Sequence, residues 1–590
     1  MRFQRNPQLH LFATGIILLN LQNVAVLILV LRWCMIEDIE LNFGSSLGEQ
    51  PLRFEPKSLT VVIGPNNSGK SKMISEIAHQ CMNGTMVPSD VIIKSIKFKE
   101  FDYHAVQILL DSLEVRAPAG QSLYSGHMFV NQRGSVSQVS KIMLENALRN
   151  PNDFTHRHYF AAAYSGVRTK TLDGKNRISL ADPQAGGDLQ QPAVSTFQHL
   201  FKDDNLRKKY RQLVYKSLGG YAVIDPTKLG TLRLRLSPTE PESADLERGL
   251  GNASLKFHSN AQLVEEASDG AKAFTGVLSE ILAGNPEILL MDEPEAFLHP
   301  ALAFNMGREI SRSLASSNKQ MFVSTHSAQF LMGCIQSGVQ MNVIRLTYRE
   351  GVATARLLPS EEIKKLMRNP LLRSTGVISA LFYESVVVTE GDADRAFYQE
   401  INERLQAIGA GIPNCIFINA QNKQTIPLII KPLRSLGIPA AAIYDLDVIK
   451  EGGGVATRFF DAAEIPELQQ ASLNMLRLSV LGALSSSDSN WKINGGTEVL
   501  SGSDKIAADN YFDQIEKYGA FVVRRGELEK WLPSVHNGGH GPTWLIPMFE
   551  AMGEDPDALN YVKPEDNDVW KFMNDIASWL LDSCRQGIPN

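Results

Sequence analysis

Residues 64–71, GPNNSGKS, carry the glycine, lysine and serine spacing of a phosphate-binding loop. Glycines at these positions let backbone N–H groups close around phosphates, and a following helix adds the partial positive charge of its N-terminus. Lys70 would neutralise the β- and γ-phosphates of a nucleotide, and Ser71 would bind Mg²⁺. The nucleotide-binding residues that this pattern predicts are Gly64, Asn66, Asn67, Gly69, Lys70 and Ser71.

A pair of acids ends the apolar run ILLMDE, where Asp292 can reach the Mg²⁺ shell. Glu293 beside it can polarise the water that attacks the γ-phosphate. An acid pair at a strand end can also cap the next helix, which is the alternative interpretation. The following apolar run ends in FVSTHS and places His326 at a neighbouring strand end, which favours the catalytic interpretation.

Upstream of these acids, the segment SDGAKAF (268–274) completes an order of loop, signature, acid strand and histidine. This order resembles the ABC-type ATPase head. The resemblance implies that two heads enclose two ATP molecules, with Ser268 and Gly270 contacting the γ-phosphate of the opposite subunit and His326 sensing it. The signature departs from the common LSGGQ form, and Gln132 is the candidate for the glutamine loop.

Four further carboxylates follow apolar runs in the second half of the chain. In VVVTEGDAD, Glu390 ends a run and Asp394 lies in the first turn of the next helix. In AAAIYDLD, Asp445 and Asp447 lie two residues apart on one face. Such a cluster requires divalent cations, and Mg²⁺ or Mn²⁺ prefer oxygen ligands. Two metals held here could activate a water and stabilise a leaving oxygen in phosphodiester cleavage; the alternative is that these acids cap helices.

The pattern E-G-x-x-D followed by D-x-D resembles the Toprim domain. An ABC-type head followed by Toprim resembles the OLD (overcoming lysogenization defect) nucleases, which include the Gabija nuclease subunit and effectors of some retrons. The similarity covers about residues 35 to 590. It implies that a later acid and a lysine complete the metal site. Glu527 or Glu529, of which Glu529 is preferred, and Lys563 or Lys571 are the candidates.

Strands and helices must bring these residues together, and apolar runs alternating with helical stretches predict two α/β domains. We expect an ABC-type P-loop ATPase head over residues 35–375, with a helical or dimerisation element inserted at about 92–260. A Toprim domain with a C-terminal helical part should follow over 376–590.

One basic segment of the insertion, LRKKYRQLVYK (206–216), could contact phosphate backbones. A solvated helix face is the favoured interpretation, because charged runs are most often exposed to water.

Composition limits the class of protein. The 590 residues are 44% hydrophobic and 21% charged, as expected for a globular chain of several domains. A net charge of -6 means that any contact with DNA must come from local basic patches. The five cysteines are scattered and form no CxxC pair, which argues against a disulfide framework or a zinc site and predicts a cytoplasmic protein.

The N-terminal residues 1–34 contain a mostly apolar run from Leu9 to Leu31 that is long enough to cross a bilayer. Polar residues interrupt the run, and no second apolar span follows, so no stable membrane partner is expected. Met35 begins the strand-like segment MIEDIEL. We therefore interpret residues 1–34 as an appendage or as translation from an upstream start.

The resemblances together predict an ATP-regulated, Mg²⁺-dependent DNA endonuclease that acts in defence against phage. Expected partners are DNA, a second copy joined through the ATPase heads, and a helicase or a reverse transcriptase with its noncoding RNA or DNA. The alternative is a RecF- or SMC-like repair or structural ATPase without nuclease activity. A membrane-transport ATPase is less favoured because the sequence shows no second apolar span, and a primase because the cysteines form no zinc module. A topoisomerase would need a nucleophilic tyrosine, which the 14 tyrosines leave open.

Overall fold

The structure is a computed structural model that describes residues 35–118, 120–132, 135–374, 376–536 and 538–588. The chain divides into two compact units: the first holds residues up to Ile63 and Asn67–Ser360, and the second holds the residues from Glu361 onward together with Gly64–Asn66. This division precedes the predicted domain boundary at 375/376. The proposed appendage 1–34, with its apolar run, lies outside the described residues. Among the residues that are described, no helix is long and apolar enough to cross a membrane.

The described residues of the first unit form fifteen strands, which make up one six-stranded sheet, two smaller sheets and a hairpin. Their bounds are β1 (Ile36–Leu41), β2 (Arg53–Phe54), β3 (Leu59–Ile63), β4 (Ile93–Phe98), β5 (His127–Gln132), β6 (Ser135–Ser140), β7 (Thr169–Leu172), β8 (Gln184–Ala185), β9 (Tyr221–Asp225), β10 (Thr231–Ser237), β11 (Gln262–Leu263), β12 (Ile288–Asp292), β13 (Gln320–Ser324), β14 (Asn342–Arg349) and β15 (Val352–Leu358).

The six-stranded sheet has the order β15-β14-β3-β13-β12-β7. All its neighbouring pairs are parallel except β14 with β15. Every residue of β3 and β13 is buried, as expected for strands covered on both faces. Because parallel strands end at the same edge, the loops after β3, β12 and β13 share one edge of this sheet.

Helices of the first unit cover the sheets and build the inserted region. Their bounds are Lys70–Asn83, Tyr103–Leu113, Lys141–Arg149, Phe154–Phe160 with the π-helix Ala161–Ser165, Gly174–Ser179, Thr196–Lys202, Asp204–Leu218, Ala244–Arg248, Asn252–Ser259, the 3-10 turn Val264–Glu266, Asp269–Ala283, Pro300–Ala315 and Ala328–Gln336.

The region 92–260 is not a separate insertion throughout. Within it, β4 pairs with β1, and β7 pairs in parallel with β12 at the edge of the six-stranded sheet. The sequence did not reveal β7 because a four-residue strand, TKTL, has no apolar run.

The two arginines of the basic segment 206–216 are not exposed to solvent, as a solvated face would require, and they are not free to bind phosphate. Arg207 and Arg211 are 2% and 6% exposed, and both donate to Glu247 Oε2. The Arg207 Nε to Oε2 distance is 2.8 Å. A buried carboxylate thus holds these two cations inside the unit, because unpaired charges are costly to bury.

The second unit has a four-stranded sheet of order β17-β16-β18-β19 in which all pairs are parallel. Its strands are β16 (Ser385–Thr389), β17 (Cys415–Asn419), β18 (Ala440–Asp445) and β19 (Ala520–Val523). Its helices are Ser360–Arg368, Pro370–Ser374, Asp392–Ala407, Ile426–Ser435, Gly454–Ala462, Glu467–Ser487, Gly502–Glu516, Pro542–Met552 and Asp568–Leu581, with 3-10 turns at Val377–Phe382, Leu446–Lys450, Gly496–Val499 and Leu528–Lys530.

Candidate nucleotide and metal sites

The phosphate loop joins β3 to the helix Lys70–Asn83, as the sequence predicts. Gly64, Asn67 and Gly69 have positive φ values of 142°, 61° and 92°. At Gly69 the left-handed backbone conformation favours glycine, and a Cβ atom would also lie 2.7 Å from Ile92 Cδ1, the end of a side chain that would have to shift. Asn66 lies between these turns, in the same loop.

Lys70 and Ser71 open the helix beside the end of β12. Lys70 is 4% exposed, and burial lowers its pKa to about 8 although nearby acids, Glu293 first, act to raise it. Ser71 Oγ donates to Asp292 Oδ1 at 3.0 Å, and Ser324 Oγ donates to the same oxygen. The structure therefore brings together the two residues that were predicted to hold Mg²⁺.

Glu293 and His326 also meet at this edge. Their Oε1 and Nε2 atoms are 3.6 Å apart. Burial, with the charge of Lys70, lowers the pKa of His326. Glu295, which the sequence analysis missed, accepts from the backbone N–H of His326 at 2.7 Å and from Thr325 Oγ1 at 2.8 Å, so it fixes the histidine loop.

Arg177 is a second residue that the sequence analysis missed. It is 1% exposed and donates to the backbone carbonyls of Asp292, at 2.8 Å, and Glu293. It lies on the helix that follows β7, at the same edge of the sheet, and recognising β7 as a neighbour of β12 would have revealed it. Gln132 instead lies in the β5–β6 hairpin and accepts from Ser137 Oγ, so the structure does not place it in this site.

The signature residues lie at the start of the helix Asp269–Ala283. Ser268 caps it by accepting from Ala271 N–H. A Cβ on Gly270 would lie 2.7 Å from the carbonyl oxygen of Phe297, in the loop after β12, so only glycine allows this approach. Their contact with the nucleotide of a second copy stays a prediction.

In the second unit, Glu390, Asp445 and Asp447 place carboxylate oxygens within 4.8 Å of one another. They follow the neighbouring parallel strands β16 and β18, and Glu390 Oε1 accepts from the Asp445 N–H at 3.1 Å. Burial and then the charge of Asp445 raise the pKa of Glu390 to about 8. Burial also raises the pKa of Asp445 to about 7, against the opposing charge of Lys492.

A second group of ligand atoms, from Glu527, Glu529 and His540, also lies within 4.8 Å. The two glutamates follow β19, next to β18 in the sheet. Glu529 Oε1 lies 2.7 Å from His540 Nδ1, and burial together with the charge of Glu529 raises the pKa of Asp394. Of the four acids predicted to converge, three form the tight group, and Asp394 lies outside it but close enough to interact with both Asp445 and Glu529. His540 was not predicted.

The lysines near the acids differ from those predicted. Lys492 Nζ lies 3.0 Å from Asp445, 3.7 Å from Asp447 and 3.6 Å from Glu527. Lys571 instead pairs with Asp575 on the surface. Lys563 is exposed and forms no ion pair among the described residues.

Lys423 is a further cation at the cluster, 3.1 Å from Asp447 and 3.2 Å from Glu451. It follows β17, whose carboxyl end is a recognisable signal. Lys492 lies in a loop after a long helix and carries no comparable signal.

The acid groups fit a divalent metal ion. Their carboxylate oxygens are donors that Mg²⁺ and Mn²⁺ prefer, and His540 adds one imidazole nitrogen to the second group. Asp447 Oδ1 is buried without a hydrogen-bond partner among the described residues, as expected for a ligand atom that needs a cation. Lys492 supplies a positive charge among the same carboxylates.

Two family models match the chain. One, described as "AAA domain, putative AbiEii toxin, Type IV TA system", matches residues 146–332. The other, described as "Overcoming lysogenization defect protein-like, TOPRIM domain", matches residues 381–447. The first range contains Asp292 and His326, and the second contains Glu390 and Asp445. The predicted order, an ATPase head followed by a Toprim α/β domain, is confirmed, and these domains imply an enzyme that uses ATP and a divalent metal ion.

Solved structures with a similar fold include heads of SMC proteins. An SmcHead bound to the C-winged helix domain of ScpA is 16% identical, with a TM-score of 0.33, over 56% of this chain and 99% of that chain. The SMC head domain from Thermotoga maritima is 13% identical, with a TM-score of 0.28, over 55% and 99%. Such low values carry no argument about activity or partners. No curated protein matches the chain.

Proposed function

We propose, from the ATPase–Toprim architecture that this chain shares with the OLD family of nucleases, that it is an ATP-regulated, Mg²⁺-dependent DNA endonuclease. The Toprim domain carries the nuclease site and the ATPase head controls it. The natural role would be defence against phage, with DNA as the substrate and a second copy joined through the heads.

The observation that carries this proposal is the group of Glu390, Asp445 and Asp447 at the ends of adjacent parallel strands. A structural or repair ATPase has no need for three partly buried carboxylates within 4.8 Å of one another. Three carboxylates so close together repel one another, which destabilises the fold. Acids with such raised pKa values cluster at active sites, where their chemistry is needed.

The chain's own groups suit phosphodiester hydrolysis. Glu390, Asp445 and Asp447 would hold one metal ion, and Glu527, Glu529 and His540, with Asp394 near Glu529, a second. Divalent metal ions, when bound, supply an activated water and stabilise the leaving oxygen. Lys492 lies where it can contact a phosphate oxygen once a metal has replaced it among the carboxylates.

The test is cleavage of plasmid and linear duplex DNA by purified protein with Mg²⁺ or Mn²⁺, with and without ATP. Asp445→Ala should abolish cutting and leave ATP affinity unchanged, because ATP binds in the other unit. Lys70→Ala should weaken ATP binding and alter the dependence of cutting on ATP. If wild-type protein leaves all DNA intact with either metal, including after addition of candidate partner proteins, the proposal is wrong.

The defence role is tested by the neighbouring genes and by phage challenge. A helicase gene beside this one would indicate a Gabija-type system, and a reverse transcriptase gene a retron. Cells carrying the locus should plate phage less efficiently than cells with the Asp445→Ala variant. Equal plating efficiency on the two strains would contradict the defence role. The nuclease activity would still be decided by the assay with purified protein.

A further inference from the structure

A pocket in the second unit is separate from the acid groups but shares a wall with them. It lies between the β18 end and the helices Ile426–Ser435, Gly454–Ala462 and Glu467–Ser487, with a volume of about 480 Å³ that includes its mouth open to solvent. Its lining is mostly aromatic and basic. The lining residues used below are Lys423, Tyr444, Glu451, Arg458, Phe459 and Arg477.

Arg477 is a buried cation without an acidic partner. Its residue is 4% exposed, and its Nε and Nη1 donate to Asn474 Oδ1 at 2.9 Å and to the Ile449 carbonyl at 2.6 Å. No ion pair and no hydrogen bond from its Nη2 occur among the described residues. Nη2 is not fully buried, so this guanidinium has one nitrogen left to donate to an anion in the pocket.

Tyr444 provides an independent indication. It is 1% exposed, and its hydroxyl is buried without a hydrogen-bond partner among the described residues. Its ring packs against Phe459, with centroids 5.1 Å apart, so the side chain is fixed on the pocket wall. Buried hydroxyls are almost always bonded, and one that is not indicates a ligand or ordered water.

The charges of the lining determine the ligand. Three basic residues, Lys423, Arg458 and Arg477, face one acid, Glu451, which already pairs with Lys423 at 3.2 Å. The pocket is thus net positive although the whole chain is net negative. Guanidinium, ammonium and hydroxyl donors together suit the oxygens of a phosphate group.

We propose that this pocket binds a phosphate group, and that the group is a backbone phosphate of the strand whose scissile bond lies at the neighbouring acids. Lys423 links the two sites, because the same Nζ contacts Asp447 and Glu451. Tyr444 directly precedes Asp445 in β18. That the phosphate belongs to a DNA strand rests on the proposed nuclease function. That the pocket binds a phosphate group does not. Free phosphate is the other source of the same chemistry.

The first experiment measures phosphate binding without DNA. The Lys70→Ala protein, which lacks the phosphate-loop lysine, is heated with inorganic phosphate or with chloride at equal ionic strength. We expect phosphate to raise the Tm by about 2–4 °C at saturation. Adding Tyr444→Phe should reduce the rise, and Arg477→Gln should remove it. Tyr444→Phe removes only an unbonded hydroxyl, so it keeps the test valid if Arg477→Gln does not fold.

The second experiment assigns the source of the phosphate. Arg458 is exposed, and Arg458→Gln should raise the KM for DNA roughly fivefold to tenfold at unchanged kcat. The slope of affinity against salt should fall by about one. Lys431→Gln, an exposed lysine on the helix Ile426–Ser435 outside the pocket, is the matched control and should change neither.

Each outcome decides one claim. A phosphate-dependent rise in Tm that persists in both pocket variants contradicts the claim that this pocket binds phosphate. A rise that the pocket variants remove, together with wild-type KM for DNA in Arg458→Gln, assigns the pocket to free phosphate and overturns the strand assignment. If the wild-type protein cuts no DNA, the nuclease proposal fails while the Tm experiment still decides whether the pocket binds phosphate.

Discussion

At the scale of single residues, the second unit balances an acidic group with lysines. Lys492 contacts three of the carboxylates, and Lys423 contacts Asp447. Burial acts to lower the pKa of Lys492, yet the charges of Asp445 and its neighbours raise it overall. In protein without metal, these lysines offset repulsion that a divalent ion would otherwise relieve.

Lys492→Gln should therefore lower the free energy of unfolding of EDTA-treated protein by about 1–3 kcal/mol, because partly buried carboxylates lose their counter-charge. Mg²⁺ should reduce the difference from wild type, because the metal supplies the missing charge. Chemical unfolding with and without Mg²⁺ measures both effects. Lys571→Gln is the control: its exposed pair with Asp575 predicts a change below about 0.5 kcal/mol. Equal losses in the two variants would contradict this account.

The depressed pKa of Lys70 predicts a pH dependence of ATP binding. With the pKa of the ATP-free protein at about 8, neutral Lys70 predominates above that pH and must take up a proton to neutralise phosphates. Affinity should be constant below about pH 8 and fall by up to about tenfold per pH unit above it. Isothermal titration of a non-hydrolysable ATP analogue across this range is the measurement.

His326→Gln is the control for that titration. The pKa of His326 is lowered by burial, so the imidazole is neutral throughout the alkaline range and its loss should leave the slope unchanged. A constant affinity to about pH 9.5 would show that Lys70 stays protonated, and would remove the predicted dependence.

At the scale of elements, one helix and one loop couple the signature to the acids of the ATPase head. The helix Asp269–Ala283 approaches the loop after β12 closely at Gly270. Arg177, on the helix Gly174–Ser179, holds the end of β12 by donating to two backbone carbonyls. The Arg177 contact fixes the backbone at Asp292 and Glu293, where Glu293 has a positive φ of 50°, and the Gly270 contact is made with Phe297 in the same loop.

Gly270→Ala should force this helix away from the loop, because the new Cβ would meet the Phe297 carbonyl oxygen. We expect a stability loss of about 1–3 kcal/mol and a fall in ATP turnover of at least roughly fivefold. Thermal unfolding and phosphate release measure the two. Gly251→Ala, where no atom lies within 4 Å of the new Cβ, should leave turnover unchanged and cost at most about 1 kcal/mol of stability, because Gly251 is the N-cap of the helix Asn252–Ser259. Unaltered turnover in Gly270→Ala would show that this approach does not matter for the ATP site.

At the scale of the whole molecule, one chain carries two α/β units with different chemistry. The resemblance to ABC-type heads implies that the ATP site is completed by Ser268 of a second copy. Dimerisation would then depend on nucleotide, and a block in hydrolysis should trap the dimer. The 65.2 kDa chain makes this change easy to detect by light scattering.

Glu293→Gln with ATP and Mg²⁺ should show twice the mass of the same variant without nucleotide, because bound ATP persists between the heads. Lys70→Ala with ATP should keep the nucleotide-free mass. Size-exclusion chromatography with light scattering measures both. If Glu293→Gln with ATP has the same mass as Lys70→Ala with ATP, the nucleotide-dependent pairing of heads is wrong.

The sequence by itself determined the features that depend on short, contiguous patterns. The phosphate loop, the acid strand and the E-G-x-x-D and D-x-D motifs are local, and each directly follows an apolar run that predicts a strand. Because ends of parallel strands meet at one edge, the convergence of Glu390, Asp445 and Asp447 could be expected from their order alone.

Only the tertiary structure decided which residues from irregular segments reach the sites. Lys492 and His540 come from loops, and Arg177 follows a four-residue strand without an apolar run, so no local pattern marks them. The same holds for Tyr444, whose buried hydroxyl has no partner among the described residues, and for Arg477, whose Nη2 makes no hydrogen bond among them, since both features depend on packing. Local sequence specifies the strands and the residues at their ends. Long-range packing decides which other side chains lie beside those ends and neutralise or position the residues there.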